Sequence, residues 1–192
     1  MKARMITAGI ALLLAASSPA LCAAQGAHPH ARQGWLVGLG LGGGSVGFSA
    51  NGSTSDRTGG GAGNLRVGYA FQPQLSLDLS SIAWTKSENG ATLTVDVVTA
   101  ELGYYPQALP GLVLRGGVGS GTGDLTLSFG NTSISSTTSG FGFNLGTGYE
   151  FRVARTFAIG PSVDFGWTSL SDVDANFINF GIAGTWYFIP RG

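Results

Sequence analysis

Six charged residues share one setting: Arg66, Asp78, Glu101, Arg115, Glu150 and Asp164. Each has a large apolar neighbour on at least one side, as in Leu65-Arg66-Val67 or Val163-Asp164-Phe165. Such carboxylates could serve acid–base chemistry, but four carboxylates interspersed with two arginines suit ion pairing equally well. Nucleophilic catalysis lacks its usual base. His28 and His30 are the only histidines, and both precede the first regular segment. A Ser–His site needs a histidine held within the folded body. His28-Pro29-His30 reads as part of a tail rather than a metal site. Gly42-Gly43-Gly44 and Gly59-Gly60-Gly61 are not phosphate loops, because neither a helix nor Lys-Ser/Thr follows. The sequence therefore implies no enzyme, cofactor or resident metal.

The elements that must position these charges begin after a targeting segment. Lys2 and Arg4 precede an apolar run from Ile6 to Ala16, then Ser17-Ser18-Pro19 and Cys22-Ala23-Ala24. This is the layout of a secretory signal peptide, with cleavage expected after Ala24. The run is too short to span a bilayer as a helix. Cys22, the single cysteine, falls before the cut, and the bulky Leu21 argues against lipidation. The mature chain then has eight basic and ten acidic residues and no basic patch for nucleic acid. Residues 1–24 are assigned to the signal, 25–33 to a flexible segment, 34–188 to a folded unit and 189–192 to a short extension.

The folded unit alternates with period two, the mark of β-strands. About eight segments do so, among them Trp35-Val37-Leu39-Leu41, Leu65-Val67-Tyr69-Phe71 and Ile178-Phe180-Ile182. One face is large and apolar. The other holds Gly, Ala, Ser, Asn and the six charges. Leu93, Val95 and Val97 have the opposite phase to Val98, Ala100 and Leu102, which predicts a bulge near 97–98. Pro161 removes a ladder donor and predicts a second bulge.

Gly is 33 of 192 residues and charged residues only 10%. That composition gives a poor soluble surface, since soluble domains carry roughly 25% charge. It suits an apolar face in lipid and a small polar face in a narrow lumen. The expected class is all-β: an eight-stranded antiparallel up-and-down transmembrane barrel. A secreted soluble barrel is disfavoured by the same asymmetry.

Connections alternate in length. Short links at 72–74, 106–111 and 152–155 alternate with long, Gly/Ser/Thr-rich links at 49–61, 85–91, 124–138 and 169–174. That alternation matches periplasmic turns and extracellular loops, with both termini periplasmic. The link at 124–138 reads as a projecting hairpin turning at Gly130-Asn131. Trp35, Tyr69, Phe71, Tyr104, Tyr149, Phe151, Trp186 and Phe188 then form one interfacial girdle, with Phe157 beside them. Trp84, Phe141 and Trp167 mark the other.

On these strands, loops and lumen glycines the chain resembles the small outer-membrane barrels of the OmpA/OmpX type. The closing segment from Phe180 to Phe188 resembles the last strand of that family. There the terminal aromatics, here Trp186 and Phe188, are read by the barrel-assembly machinery. This chain departs from the pattern by continuing Ile189-Pro190-Arg191-Gly192. It leaves no length for a following peptidoglycan-binding domain.

The six charges are expected to form a lumen network, with Arg66 near Asp78 and Glu101 near Arg115. An eight-stranded barrel is just wide enough for side chains to fill. The expected role is therefore structural or adhesive, in an integral, monomeric outer-membrane protein of a Gram-negative bacterium. Its partners would be membrane lipid, lipopolysaccharide and a protein bound at the outer loops, where the hairpin around 125–134 could add a strand to its sheet. The alternative is a narrow channel or carrier for small solutes or hydrophobic molecules.

Overall fold

Alternating sequence gives alternating structure. The computed structural model describes residues 32–50, 53–129, 132–171 and 173–188. The signal segment, the tail through residue 31 and the extension 189–192 lie outside the described residues. The strands are β1 (Gly34–Ala50), β2 (Ser53–Thr54), β3 (Thr58–Gln72), β4 (Leu75–Glu88), β5 (Ala91–Tyr104), β6 (Leu112–Phe129), β7 (Thr132–Tyr149), β8 (Phe151–Ala154), β9 (Phe157–Leu170) and β10 (Val173–Phe188).

All pairings are antiparallel between chain neighbours, and β10 closes the sheet by pairing β1 from Trp35↔Phe188 to Ser49↔Asp174. β7 and β8 form one stave, and β2 is a short addition to β1. The result is a closed barrel of eight staves. Closure leaves no edge within the wall, so backbone groups there are satisfied without water. Leu41, Leu79, Val118, Leu145, Phe180 and Ile182 stand exposed on the outer wall, where lipid covers them.

Two expected bulges are absent. β5 pairs on both sides without a register shift at Val97 or Val98. Leu93, Val95 and Val97 lie on the lumen side with Thr99 and Glu101. The apolar phase switches because the lumen lining itself turns from polar to apolar towards one end. At Pro161 the ladder to the preceding stave lapses between Gly148↔Ser162 and Phe151↔Ile159, yet the register is the same on both sides. The missing donor is met by an interruption at Glu150 rather than an inserted residue.

The long links are mostly strand. β4 continues to Glu88 and β5 starts at Ala91, so the link is the two-residue turn Asn89-Gly90. Both residues have positive φ, 52° and 78°, the geometry of a type I′ hairpin, which Asn-Gly favours. β6 and β7 pair out to Phe129↔Thr132, and the turn expected at Gly130-Asn131 lies outside the described residues. Ser and Thr made these segments read as loops, but Thr is also a good strand former.

Candidate functional site

The polar phase of each strand builds the lumen, and it divides into three layers. The first lies at the short-turn end. Glu150 accepts hydrogen bonds from Tyr187 Oη at 2.6 and 2.8 Å and from Arg32 Nη2 at 3.3 Å. Arg66 Nη2 lies 3.8 Å from Glu150, and Arg66 Nη1 lies 3.7 Å from Asp78, which also accepts from Ser76 Oγ at 3.0 Å. The Arg32 guanidinium stacks 4.2 Å over the Tyr105 ring, and that of Arg152 stacks 4.0 Å over Tyr187. Cation–π contacts of this kind strengthen when desolvated. Arg32 falls in the segment read as flexible, but here it is buried in the barrel mouth.

The middle layer holds the remaining charges. Arg115 Nη2 donates to Asp164 Oδ1 at 2.6 Å, and Asn64 Nδ2 donates to Asp164 Oδ2 at 2.8 Å. Asn144 Nδ2 donates to Glu101 Oε2 at 2.5 Å while Asn144 Oδ1 accepts from Thr99 at 2.7 Å. Glu101 and Arg115 do not form the expected ion pair. Register explains this: Glu101 stands opposite Gly117, and Arg115 opposite Gly103.

Each of these charges instead reaches over a glycine to the next strand but one. Arg115, Gly146 and Asp164 share one cross-strand row. So do Glu101, Gly117 and Asn144. Arg66, Gly38 and Thr185 form a third row, bridged by Arg66 Nη2 donating to Thr185 Oγ1 at 3.3 Å. A Cβ at Gly146 would stand 2.6 Å from Asp164 Oδ1, and one at Gly117 would stand 2.7 Å from Asn144 Oδ1. The lumen glycines are the floor over which polar side chains lie.

The third layer, towards the long-hairpin end, is an apolar cluster of Val46, Ile82, Trp84, Val95, Val97, Leu170, Ala175 and Phe177. By its type and position in the sequence Trp84 is expected in the outer girdle. It is fully buried in the lumen instead, because its even number puts it in phase with Asp78 and Ile82. Beyond the cluster, Lys86 Nζ lies 2.7 Å from Glu88. The hydrogen bond and charge of Lys86 hold the Glu88 carboxyl below its usual range.

Four guanidiniums, Arg32, Arg66, Arg115 and Arg152, therefore face four carboxylates, Asp78, Glu101, Glu150 and Asp164, in a lumen of zero net charge. Two mid-lumen voids measure only about 10 and 20 Å³, roughly room for one water each. Arg32, Arg152, Tyr105, Tyr187 and Asn144 were missed as network members. The phase of Tyr105 and Tyr187 carried the signal, since both follow the lumen positions Glu101 and Thr185 by an even count.

On the outer wall Trp35, Phe71 and Phe188 stand exposed at the short-turn end, with Tyr69, Tyr104 and Trp186 beside them. Trp35 meets Tyr69 edge-on at 5.5 Å, Tyr149 meets Phe151 at 4.8 Å, and Phe157 meets Trp186 at 4.6 Å. At the other end Phe141 and Phe143 flank Trp167 at 6.4 and 5.5 Å. Among the described residues no cluster of His, Cys, Asp and Glu is arranged to hold a metal ion.

A closed eight-stave barrel with an apolar wall, aromatic ends and a charge-filled lumen defines a small transmembrane barrel of the outer membrane. The chain belongs to the outer membrane protein beta-barrel domain family, which matches residues 8–185. Its fold is similar to that of Ail, the attachment invasion locus protein of Yersinia pestis, with 18% identity over 80% of this chain and 99% of that one and a TM-score of 0.59. A second Ail structure, in complex with the heparin analogue sucrose octasulfate, gives a TM-score of 0.58, again with 18% identity over 80% and 99% of the two chains. Neisserial surface protein A is similar at 11% identity over 80% and 97% of the two chains, with a TM-score of 0.56. At these identities the likeness is one of fold. No curated protein sequence matches the chain.

Proposed function

We propose that this protein is a sealed barrel that displays its long hairpins at the cell surface for contact with another protein, in an adhesive or protective role and without catalysis. In this reading the short turns and both termini face the periplasm. The hairpin end stands among lipopolysaccharide, and Trp186 and Phe188 serve barrel assembly. The protein acts as a monomer.

The observation that carries the reading is an open strand edge. β9 pairs β7 from Gly142 inward and its last residues, Ser169 and Leu170, still lie against Gly140, so among the described residues β7 has no second strand partner from Thr132 to Ser139. The β6 side of the same hairpin is covered as far as Leu127 by β5, and Ser128 N donates to Gly90 O at 2.8 Å. The free edge is thus on β7, not on both arms of the hairpin around 125–134. It reads Thr132-Ser133-Ile134-Ser135-Ser136-Thr137-Thr138-Ser139, with no charge and no proline. Proteins usually blunt an edge with Lys or Pro, and an unblunted edge accepts an added strand.

Charge defines the partner further. Among the described residues the hairpin end carries Arg57 and Lys86 against Asp56, Glu88, Asp96, Asp124 and Asp174. Arg57 is already engaged with Ser45 and Asn176. A polyanion of the heparin type has no basic surface to bind here, so the fitting partner is an extended polypeptide segment.

Expression in a heterologous Gram-negative host, with adhesion to immobilised matrix proteins and cultured cells as readout, tests the reading. Ser135→Lys with Thr137→Lys should remove adhesion while folded barrel, judged by heat-modifiable gel migration, is retained. Single-channel steps in a planar bilayer without any adhesion would replace this reading with the channel alternative.

A further inference from the structure

The projecting hairpin has two unlike faces. β6 and β7 run on beyond the last β9 pairing, at Gly142, and β5 covers β6 as far as Leu127. On the face turned towards the barrel axis, the lumen residues Val97 and Val95 are followed along β5 by Leu93 and Ala91. Leu93 pairs Leu125, which pairs Ser136, and Ala91 pairs Leu127, which pairs Ile134. Both rows lie on that axial face, since paired residues of neighbouring strands point the same way. Leu125 is 42% exposed and Ile134 61%. The outward face is hydroxylated and acidic. Ser128 and Ser133 meet at 3.3 Å, and Thr137 donates to Asp124. Asp96 lies on the same face, two residues along from Thr94, the cross-strand partner of Asp124. Among the described residues neither Asp96 nor Asp124 has an ion-pair partner.

A strand added at the free β7 edge inherits this asymmetry. Its residues opposite Ile134 and Ser136 fall on the axial face, and those opposite Ser135 and Thr137 fall on the outward face. A side chain opposite Ile134 extends the row of Ala91, Leu127 and Ile134. A bulky one opposite Ser136 crosses the small serine towards Leu125, as Arg115 crosses Gly146 to Asp164 in the lumen. On the outward face a long cation opposite Thr137 reaches Asp124. We propose that the β7 edge selects an extended segment of another polypeptide that is itself two-faced. Apolar residues at alternate positions turn to the axis over Leu125 and Ile134, and the polar residues between them include one Lys or Arg over Asp124. The proposal rests on the reading of β7 as a docking edge and adds the sequence pattern that the edge accepts. Register makes the pattern strict, because a slip of one residue turns the apolar side chains to the acidic face and the cation to the leucines.

Two octapeptides of one composition test the pattern on the whole barrel in lipid nanodiscs. One alternates valines with threonines and a single lysine, and the other carries its valines consecutively. The readouts are amide exchange along Thr132–Ser139 and the methyl signals of Leu125 and Ile134 in titrations. The alternating peptide should protect alternate β7 amides, because alternate N–H groups of an edge strand point away from its partner, and it should shift both methyl signals. The consecutive peptide should bind roughly tenfold more weakly, since in any register it sets only half its valines on the axial face. Leu125→Thr with Ile134→Thr should weaken the alternating peptide about tenfold, and Asp124→Asn roughly two- to fivefold. Equal affinity of the two peptides, with β7 amides protected by each, overturns the proposal and leaves β7 an unselective edge. So do protected amides without a shift of the Leu125 and Ile134 methyls. No protection by either peptide overturns the edge reading itself, and the proposal with it. The peptide comparison uses the unmodified protein and stands even if a variant fails to fold.

Discussion

Asp164→Leu should be among the most damaging single changes in the lumen. Asp164 and Arg115 meet at 2.6 Å with side chains only 3% and 5% exposed. The substitution strands the guanidinium in a site that excludes water and removes the acceptor of the Asn64 amide. At an effective dielectric near 20, opposite charges about 4 Å apart attract by roughly 4 kcal/mol. Breaking a buried pair by removing one partner costs about 3–5 kcal/mol, and the lost Asn64 bond adds about 1 kcal/mol. Arg115→Met should cost a similar amount, because it leaves the carboxylate with Asn64 alone. The double variant Arg115→Met/Asp164→Leu removes both charges and fills the space with apolar side chains. Such replacements are often neutral, so the double should lie below either single and far below their sum. Urea unfolding of barrels refolded into phospholipid vesicles, followed by tryptophan fluorescence and by gel migration without boiling, gives the three values. Additive losses, or single losses under about 1 kcal/mol, would refute the claim that this pair holds the lumen closed.

Gly146→Val should break the same bridge from below, since its Cβ would stand 2.6 Å from Asp164 Oδ1, and the cost should be about 1–3 kcal/mol in the same unfolding assay. Phe177→Ala, in the fully buried apolar layer, should cost about 3–5 kcal/mol through lost burial and the cavity left behind. The Glu88 carboxyl should titrate below the ordinary glutamate value of 4.5 by NMR, and Lys86→Ala should return it to that value. A Glu88 midpoint unaffected by Lys86→Ala would disprove their coupling.

Much of this protein can be read from its residues. Period-two alternation specifies the strands, because side chains of a strand alternate between two faces. The content of those faces, bulky on one and small or charged on the other, specifies lipid outside and a narrow lumen inside. Asn89-Gly90 encodes a tight turn, although the polar residues around it read as a loop. The aromatic ends of the strands are likewise legible at Trp35, Tyr69 and Trp186.

Sequence order could not decide who meets whom inside. Hairpin neighbours were the only pairs available to reasoning along the chain, and they paired Glu101 with Arg115. In the closed barrel Glu101, Arg115 and Arg66 each cross a glycine to a group two strands away, and only Arg66 also keeps its hairpin partner, Asp78. The sequence alone determines which residues enter the lumen, because phase is a local property of a strand. Only the tertiary structure determines their partners, because register and closure set which glycine lies between Arg115 and Asp164, and that alignment joins strands that are not hairpin neighbours. Trp84 differs, because its aromatic character suggests the outer girdle against its own phase. Its phase places it in the lumen, where only the closed barrel brings Gly60, Phe48 and Leu93 around it.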